Sequence, residues 1–233
     1  MIIAGHQSHY LPGMRYFAKI MSVDKFVLVD HVQFVKKEWQ NRNMIKTQKG
    51  SLWLSVPVIV KGRFDQTINK VEIDNQKNWG RDHWRSIEFN YRKATYFEEY
   101  KDFFKAVYNR KWEKLVDINL EIINFLLKEL GIKKEIIMSS TLNLTGKSTD
   151  LLVELCKKLG ADTYMSGQQS KTYVDLEKIK AANLKHIFIK FNYPTYTQQF
   201  GSFLPNISTI DALLNIGGDE TRKLLNASIE FEK

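Results

Sequence analysis

Two apolar runs near the start of the chain constrain its fold more than any other feature. Met1–Ala4 is short, apolar and stopped by Gly5, and Lys25–Asp30 (KFVLVD) is a continuous β-branched and aromatic run. A run without polar alternation suits a strand covered on both faces, as in parallel sheets. Between them, Gly13 and the pair Tyr16-Phe17 lead into a helical stretch over Tyr16–Val23. Strand, polar turn, short helix and strand within about 30 residues predict a βαβ unit with a parallel pair.

The same alternation returns late in the chain. Glu135–Met138, Thr163–Met165 and His186–Phe191 read as strands, and Asp150–Leu159 and Asp175–Ala182 as helices, the first ended by Gly160. Ser51–Val60 (SLWLSVPVIV) and Val71–Ile73 read as a further strand pair. Trp79 to Leu130 has helical period instead. Trp84, Ile87 and Tyr91 share a face, and Leu115, Ile118, Ile122 and Leu126 continue the pattern until Gly131 closes it. The expected fold class is α/β, a Rossmann-like, mainly parallel sheet with a helical insertion. The expected organisation is a single domain over 1–233, with the insertion at about 76–131.

Hydrophobic residues make up 43% of the 233, enough for an ordinary core. Lys and Arg outnumber Asp and Glu by 35 to 26, a formal charge of +9. That excess attracts anions such as nucleotides, sugar phosphates or RNA, and its even spread does not choose among them. The single cysteine, Cys156, excludes an intramolecular disulfide and a multi-cysteine zinc site, and its place on an apolar helix face marks it as core. No G-x-S-x-G or H-E-x-x-H occurs, and His31, His83 and His186 lack ligand partners at metal spacing. Neither a metal nor a cofactor is expected. Met1–Gly5 is too short for a secretory leader, and no apolar run approaches the ~20 residues of a bilayer span. A cytoplasmic location without membrane insertion follows as the expectation.

Open parallel sheets bind ligands at the carboxyl ends of their strands. Gly5–Pro12 (GHQSHYLP) stands there after the first strand, with His6 suited to act as a base and His9 three residues on. Asp30 ends the second strand, and Gln33, Lys36, Trp39, Asn41, Arg42 and Lys46 follow in one loop-rich stretch. An arginine fork suits phosphate or carboxylate, and an indole face suits a sugar or base. Ser166, Gly167, Gln169 and Tyr173 follow the strand at Thr163–Met165, and Tyr196 and Gln198 follow the last strand. Thr141–Thr149 (TLNLTGKST) imitates a P-loop, but Thr141 stands where that loop needs its first glycine. Ser148 or Thr149 is therefore expected to cap the next helix, with Lys147 and the loop amides at most touching a phosphate.

His6-Gln7, Tyr10-Leu11-Pro12, Phe26-Val27-Leu28 with Asp30, Gln33-Phe34, Trp39-Gln40-Asn41-Arg42 and Ile45-Lys46 together resemble the opening of the WbqC-like family. Trp53-Leu54, Val56-Pro57, Tyr164, Ser166-Gly167, Tyr173, Tyr196 and Gln198 extend the resemblance, in order, over nearly the whole chain. The chain departs from the family pattern at Ser8, where proline is common, and at Gly13 and Arg15, where tryptophan and glycine are common. The resemblance implies work on nucleotide sugars in O-antigen or other surface-polysaccharide synthesis. It points to an N-acyl (aminoacyl, including glycyl) transferase acting on an amino group of a nucleotide-linked sugar.

On that reading His6 is the base, Arg42 and Lys46 hold the pyrophosphate, and Trp39 packs on the sugar or base. Asn41 and Gln33 hydrogen-bond the acyl carbonyl or the sugar. Gln7, His9, Tyr10, Asp30, Lys36, Ser166, Gly167, Gln169, Tyr173, Tyr196 and Gln198 complete the expected substrate site. The partners are a nucleotide-sugar and an acyl or aminoacyl donor, with tRNA among the candidate donors. Two alternatives stand beside it. One is a nucleotidyltransferase-like enzyme with His6 and His9 flanking a phosphate, the other a non-catalytic sugar-nucleotide or RNA binding module.

Overall fold

In the computed structural model, which describes residues 1–232, β1 (Ile2–Gln7), α1 (Met14–Met21) and β2 (Lys25–Val29) form the expected βαβ unit. Ile3 stands opposite Lys25 and Gln7 opposite Val29 in parallel register. The chain then leaves the sheet for an antiparallel hairpin, β3 (Arg42–Thr47) and β4 (Gly50–Ser55). Three helices follow, α2 (Trp79–Tyr91), α3 (Phe97–Asn109) and α4 (Leu115–Glu129), in the stretch whose periodicity predicts them. Gly131, at φ +62°, ends α4 with paired bonds from Gly131 N–H to the Lys128 carbonyl and from Ile132 N–H to that of Leu127. Then come β5 (Ile136–Met138), α5 (Ser148–Leu159), β6 (Thr163–Gly167), α6 (Leu176–Ala181), β7 (Lys185–Phe191), α7 (Thr209–Ala227) and β8 (Ile229–Glu232).

The main sheet runs β5-β2-β1-β6-β7-β8, parallel throughout except for the antiparallel edge strand β8. This is a Rossmann-like α/β arrangement. Its faces sort by the two-residue period of the strands. Ala4, Phe26, Leu28, Met165 and Ile189 face one cluster, continuous with α1, α7 and the helical group. Ile3, Val27, Val29 and Tyr164 face the other, against Leu151, Leu155 and Cys156 of α5 and Ile179 of α6. Both faces are buried, which is why β2 is apolar without alternation.

Strand order reverses between β1 and β6: the chain builds outward through β2 and β5 on one side and through β7 on the other. These two central strands pair only at Ile2–Thr163 and Ile3–Tyr164 before they part. A crevice at the carboxyl end of the sheet is the geometric result.

Three local expectations need correction. The strand expected over Ser51–Val60 stops at Ser55, because Pro57 offers no N–H to a ladder. Its partner is not Val71–Ile73, which makes only the isolated bridges Val58–Ile73 and Glu72–Lys114. The partner is β3, whose polar residues disguise a strand: Asn43 is buried with its Nδ2 donating to the Leu11 carbonyl at 2.6 Å. At α5 neither Ser148 nor Thr149 caps the helix. Lys147 holds the cap position without a side-chain bond, Ser148 takes φ +50°, and Thr149 Oγ1 accepts from the Asp175 amide at 3.0 Å.

The elements expected from periodicity end at Phe191, and α7 and β8 lie beyond them. Gly217, at φ +77°, kinks α7, and Gly218 brings it so close to α4 that an added Cβ would overlap the Glu129 carbonyl oxygen. The two glycines thus break a helical pattern for the sake of contact with α4.

Candidate functional site

The parting of β1 and β6 opens into a cavity of about 570 Å³ at the carboxyl end of the sheet. Gly5, His6 and Gln7 supply one wall from β1, and Ser166 and Gly167 the facing wall from β6. Arg15, Tyr16 and Lys19 of α1 close one side, and Leu151, Leu152 and Leu155 of α5 the other. His9, Trp39, Gln169 and Tyr173 also line it.

The loop that carries the histidines is pinned by the helical group rather than by its own turn. Ser8 is fully buried and its Oγ accepts from Asn119 Nδ2 of α4 at 2.8 Å. Tyr10, also fully buried, places its hydroxyl 2.8 Å from His83 Nδ1 of α2 and 2.6 Å from the Tyr108 hydroxyl of α3. Gln7 Oε1 accepts from Gln40 Nε2 at 2.7 Å. Leu11 is held at φ +45°, a conformation a branched side chain adopts only where its surroundings over-determine it. The helices α2–α4 thereby set the shape of the first loop.

His6 and His9 meet edge to face, their ring centroids 4.5 Å apart, and both pack on Tyr16. His6 Nδ1 lies 3.2 Å from the Gln7 carbonyl. A carbonyl only accepts, so Nδ1 carries the proton and Nε2 keeps its lone pair. Burial, with Lys19 and His9 adding to it, holds His6 well below its ordinary value. Burial pushes His9 down to about 3, helped by Lys19 and Arg15. Both rings are neutral near pH 7. Lys19 itself is lowered to about 8, first by burial and then by the Arg15 guanidinium. On the β6 side, Ser166 Oγ is 2.7 Å from His186 Nε2 and accepts from Ser170 Oγ at 2.7 Å.

Of the residues expected in a substrate site, His6, Gln7, His9, Trp39, Ser166, Gly167, Gln169 and Tyr173 come together in this cavity. The rest stand elsewhere. Tyr10 lies among the helices, as described. Asp30 accepts from Ser139 Oγ, Ser140 N–H and Ser140 Oγ at 2.7–2.9 Å, fixing the turn after β5. Gln33 donates to the Phe64 carbonyl, and the Lys36 ammonium sits 5.6 Å from the Phe64 ring centroid. Asn41 donates to the Val56 carbonyl at 2.8 Å. Arg42 stacks 4.4 Å over Trp53, which in turn packs on Trp39. Lys46 is buried, donating to Gln198 Oε1 at 3.0 Å and to the Ser202 carbonyl at 2.7 Å. Gln198 Nε2 reaches the Tyr196 hydroxyl at 3.3 Å within that same interior group. Lys19 and Arg15 are among the cavity residues not expected in the substrate site, as are Asn43, Gln168, Lys190 and Tyr193. The signal of the first two is the four-residue spacing of two cations on the helix right after the histidine loop.

The P-loop imitation is occupied by its own chain. The Thr145 and Gly146 amides, which would hold a phosphate, donate instead to Glu154 Oε2 at 3.0 and 2.8 Å. Those two bonds hold the Glu154 carboxyl below its ordinary value.

The model of the WbqC-like protein family matches residues 7–223. The chain belongs to that family. This WbqC-like chain is 36% identical to the Uncharacterized protein Rv1507c of Mycobacterium tuberculosis over 215 residues, covering 91% of the one and 93% of the other. No solved structure matches it. Among the described residues of this WbqC-like chain, no helix is long and apolar enough to cross a membrane, and no group of three or more His, Cys, Asp or Glu is arranged to hold a metal.

Proposed function

We propose that the protein is an N-acyl transferase that forms an amide on an amino group of a nucleotide-linked sugar for surface-polysaccharide synthesis. The observation that carries this reading is His6, at the carboxyl end of β1 in the switch-point cavity, with its tautomer fixed by the Gln7 carbonyl and Nε2 free. An ammonium must lose a proton before its nitrogen attacks an acyl carbon, and a second leaves as the amide forms. A neutral imidazole accepts such a proton. Burial weakens it as a base, and so do the neighbouring Lys19 and Arg15 charges. An anionic substrate that neutralises those charges restores part of its basicity, so His6 strengthens when the site is filled. Trp39, at the cavity wall, offers a flat face to a sugar or base. The donor is an acyl thioester, an aminoacyl-adenylate or an aminoacyl-tRNA.

The test pairs a panel of amino-sugar nucleotides with these three donor types and reads amide formation by mass spectrometry. His6→Ala is expected to lower kcat by about 10²–10⁴-fold while leaving the circular-dichroism spectrum intact. Full activity in that variant removes His6 from the mechanism. Tight nucleotide-sugar binding without product from any donor favours the binding module instead.

The edge-to-face His6–His9 pair supports nucleotidyl transfer as a second reading, with ATP or CTP turnover and release of pyrophosphate. It ranks behind because burial, with Lys19 and Arg15, lowers His9 to about 3. Near pH 7 the ring is therefore the neutral imidazole, a poor acid, and not the imidazolium a leaving group needs. Equal loss on His6→Ala and His9→Ala, with pyrophosphate as product, would reverse the order.

A further inference from the structure

No aspartate or glutamate lines the cavity, in a chain that has 26 of them. Three cations do: Arg15, Lys19 and Lys190. Lys190 is paired with Glu230 at 2.9 Å. Lys19 is only 8% exposed, yet no hydrogen bond or ion pair engages its Nζ among the described residues. Its stem is buried and its ammonium opens on the cavity. A largely desolvated charge with no counter-charge costs stability, and such groups in clefts cluster at binding sites.

The surroundings of Lys19 repeat the same sign. Arg15 stands one turn earlier on α1, so both cations lie on one face of the helix. Lys19 Nζ would be 3.9 Å from a Cβ at Gly167, which puts it across the crevice against β6. The amino end of α1, at Gly13, also lines the cavity, with no side-chain cap and no acidic residue in the first turn. Its partial positive charge has the same sign.

We infer that Lys19, with Arg15 and the amino end of α1, forms a receptor for a phosphoryl group carried by the ligand. A carboxylate has two oxygens and one charge, and would leave one of the two cations uncompensated. A phosphoryl group presents three oxygens around one centre with up to two charges, which suits a cavity wall that carries an ammonium, a guanidinium and the amino end of a helix. The subsite also orders the substrate. With the phosphoryl group at Lys19, the rest of the molecule shares the cavity with His6 and Trp39. The inference rests on the reading above that this cavity receives the substrate.

Calorimetry on the whole protein with inorganic pyrophosphate, UDP and acetate tests it. Pyrophosphate and UDP are expected to bind and acetate not to. Lys19→Met is expected to weaken both by about 10- to 100-fold, the loss of one charge-assisted contact. Arg15→Ala, at the exposed rim, is expected to weaken them by about 2- to 5-fold. Lys49→Met, which removes an equal charge from the β3–β4 turn, is expected to change nothing. Lys19→Met should also raise the Tm of the free protein, because it removes an uncompensated buried charge. If Lys19→Met does not fold, Lys19→Gln is judged by the same binding criterion.

Failure of pyrophosphate and UDP to bind the wild type, or equal binding by the Lys19 variants, overturns the inference. Transfer that depends on His6 but not on Lys19 sinks the phosphoryl subsite and spares the proposed reaction. Phosphoryl binding that depends on Lys19, with no acyl transfer from any donor, does the reverse.

Discussion

The Gly5 amide donates to the Tyr164 hydroxyl at 3.0 Å across the gap where β1 and β6 part. A side chain thus takes over the bond that a continuing ladder would have made, and the strands separate without stranding a buried donor. The contact is tight: a Cβ at Gly5 would lie 2.9 Å from that hydroxyl and 3.1 Å from Val29 Cγ2. Gly5→Ala is expected to cost about 1–3 kcal/mol through overpacking. Urea denaturation measures it, and an unchanged midpoint would mean that Tyr164 moves aside freely.

Lys46 belongs to the interior rather than to the cavity. Lys46→Met removes two interior hydrogen bonds, leaving the Ser202 carbonyl without its ammonium donor and Gln198 Oε1 with the Leu204 amide alone, and is expected to destabilise by about 1–3 kcal/mol. Pyrophosphate affinity should not change. A variant of normal stability that has lost ligand affinity would return Lys46 to the binding site.

Acid should destabilise the fold well before its carboxylates titrate. Burial is the first cause lowering His6, His9, His83 and His186, the last two to about 4. In the unfolded chain these rings take up protons below about pH 6.5, while the folded chain resists. The unfolded state then binds more protons, so stability falls as pH drops from 6.5 toward 4 and is untouched by these rings above 6.5. His83 alone contributes a loss of about 2 kcal/mol at pH 5. The urea midpoint should be lower at pH 5.0 than at pH 7.5, with an unchanged slope. Equal midpoints would show that the rings charge freely in the folded state.

The Gly146-Lys147-Ser148-Thr149 segment should not turn over ATP. The Gly146 amide and that of Thr145 before it are held by Glu154, so Lys147→Ala is expected to leave both activity and stability near wild type. A phosphate-release assay settles the point, since ATP hydrolysis abolished by Lys147→Ala would require the loop to release Glu154 and take up a nucleotide.

Strand-by-strand pattern was legible where burial leaves a periodic trace. β2 shows it as an unbroken apolar run, α4 as a helical stripe closed by Gly131, and α5 as a helix ended by Gly160 at φ +68°. Polar residues that find partners inside the protein leave no such trace. β3 was hidden because Asn43 and Lys46 look solvent-facing until Leu11, Gln198 and Ser202 are brought to them from distant segments. α7 lies in a stretch where no element was expected: Gly217 and Gly218 interrupt its helical pattern, and only contact with Glu129 and Tyr96 gives them a purpose.

By itself the sequence determined the family, the α/β class and the nearness of His6, Ser166 and Gly167 to strand carboxyl ends, because these depend on local order along the chain. The strands run on to include all three residues. Only the tertiary structure decided which of the polar residues share a cavity. That depends on strand order, and the reversal between β1 and β6 joins segments about 160 residues apart, Gly5 to Tyr164 for one. The tertiary structure also decided that Lys19 stands unpaired at the cavity wall while Lys46, in the interior, donates to two acceptors. The two lysines look alike in sequence, and the difference lies in which acceptors the fold carries to each ammonium.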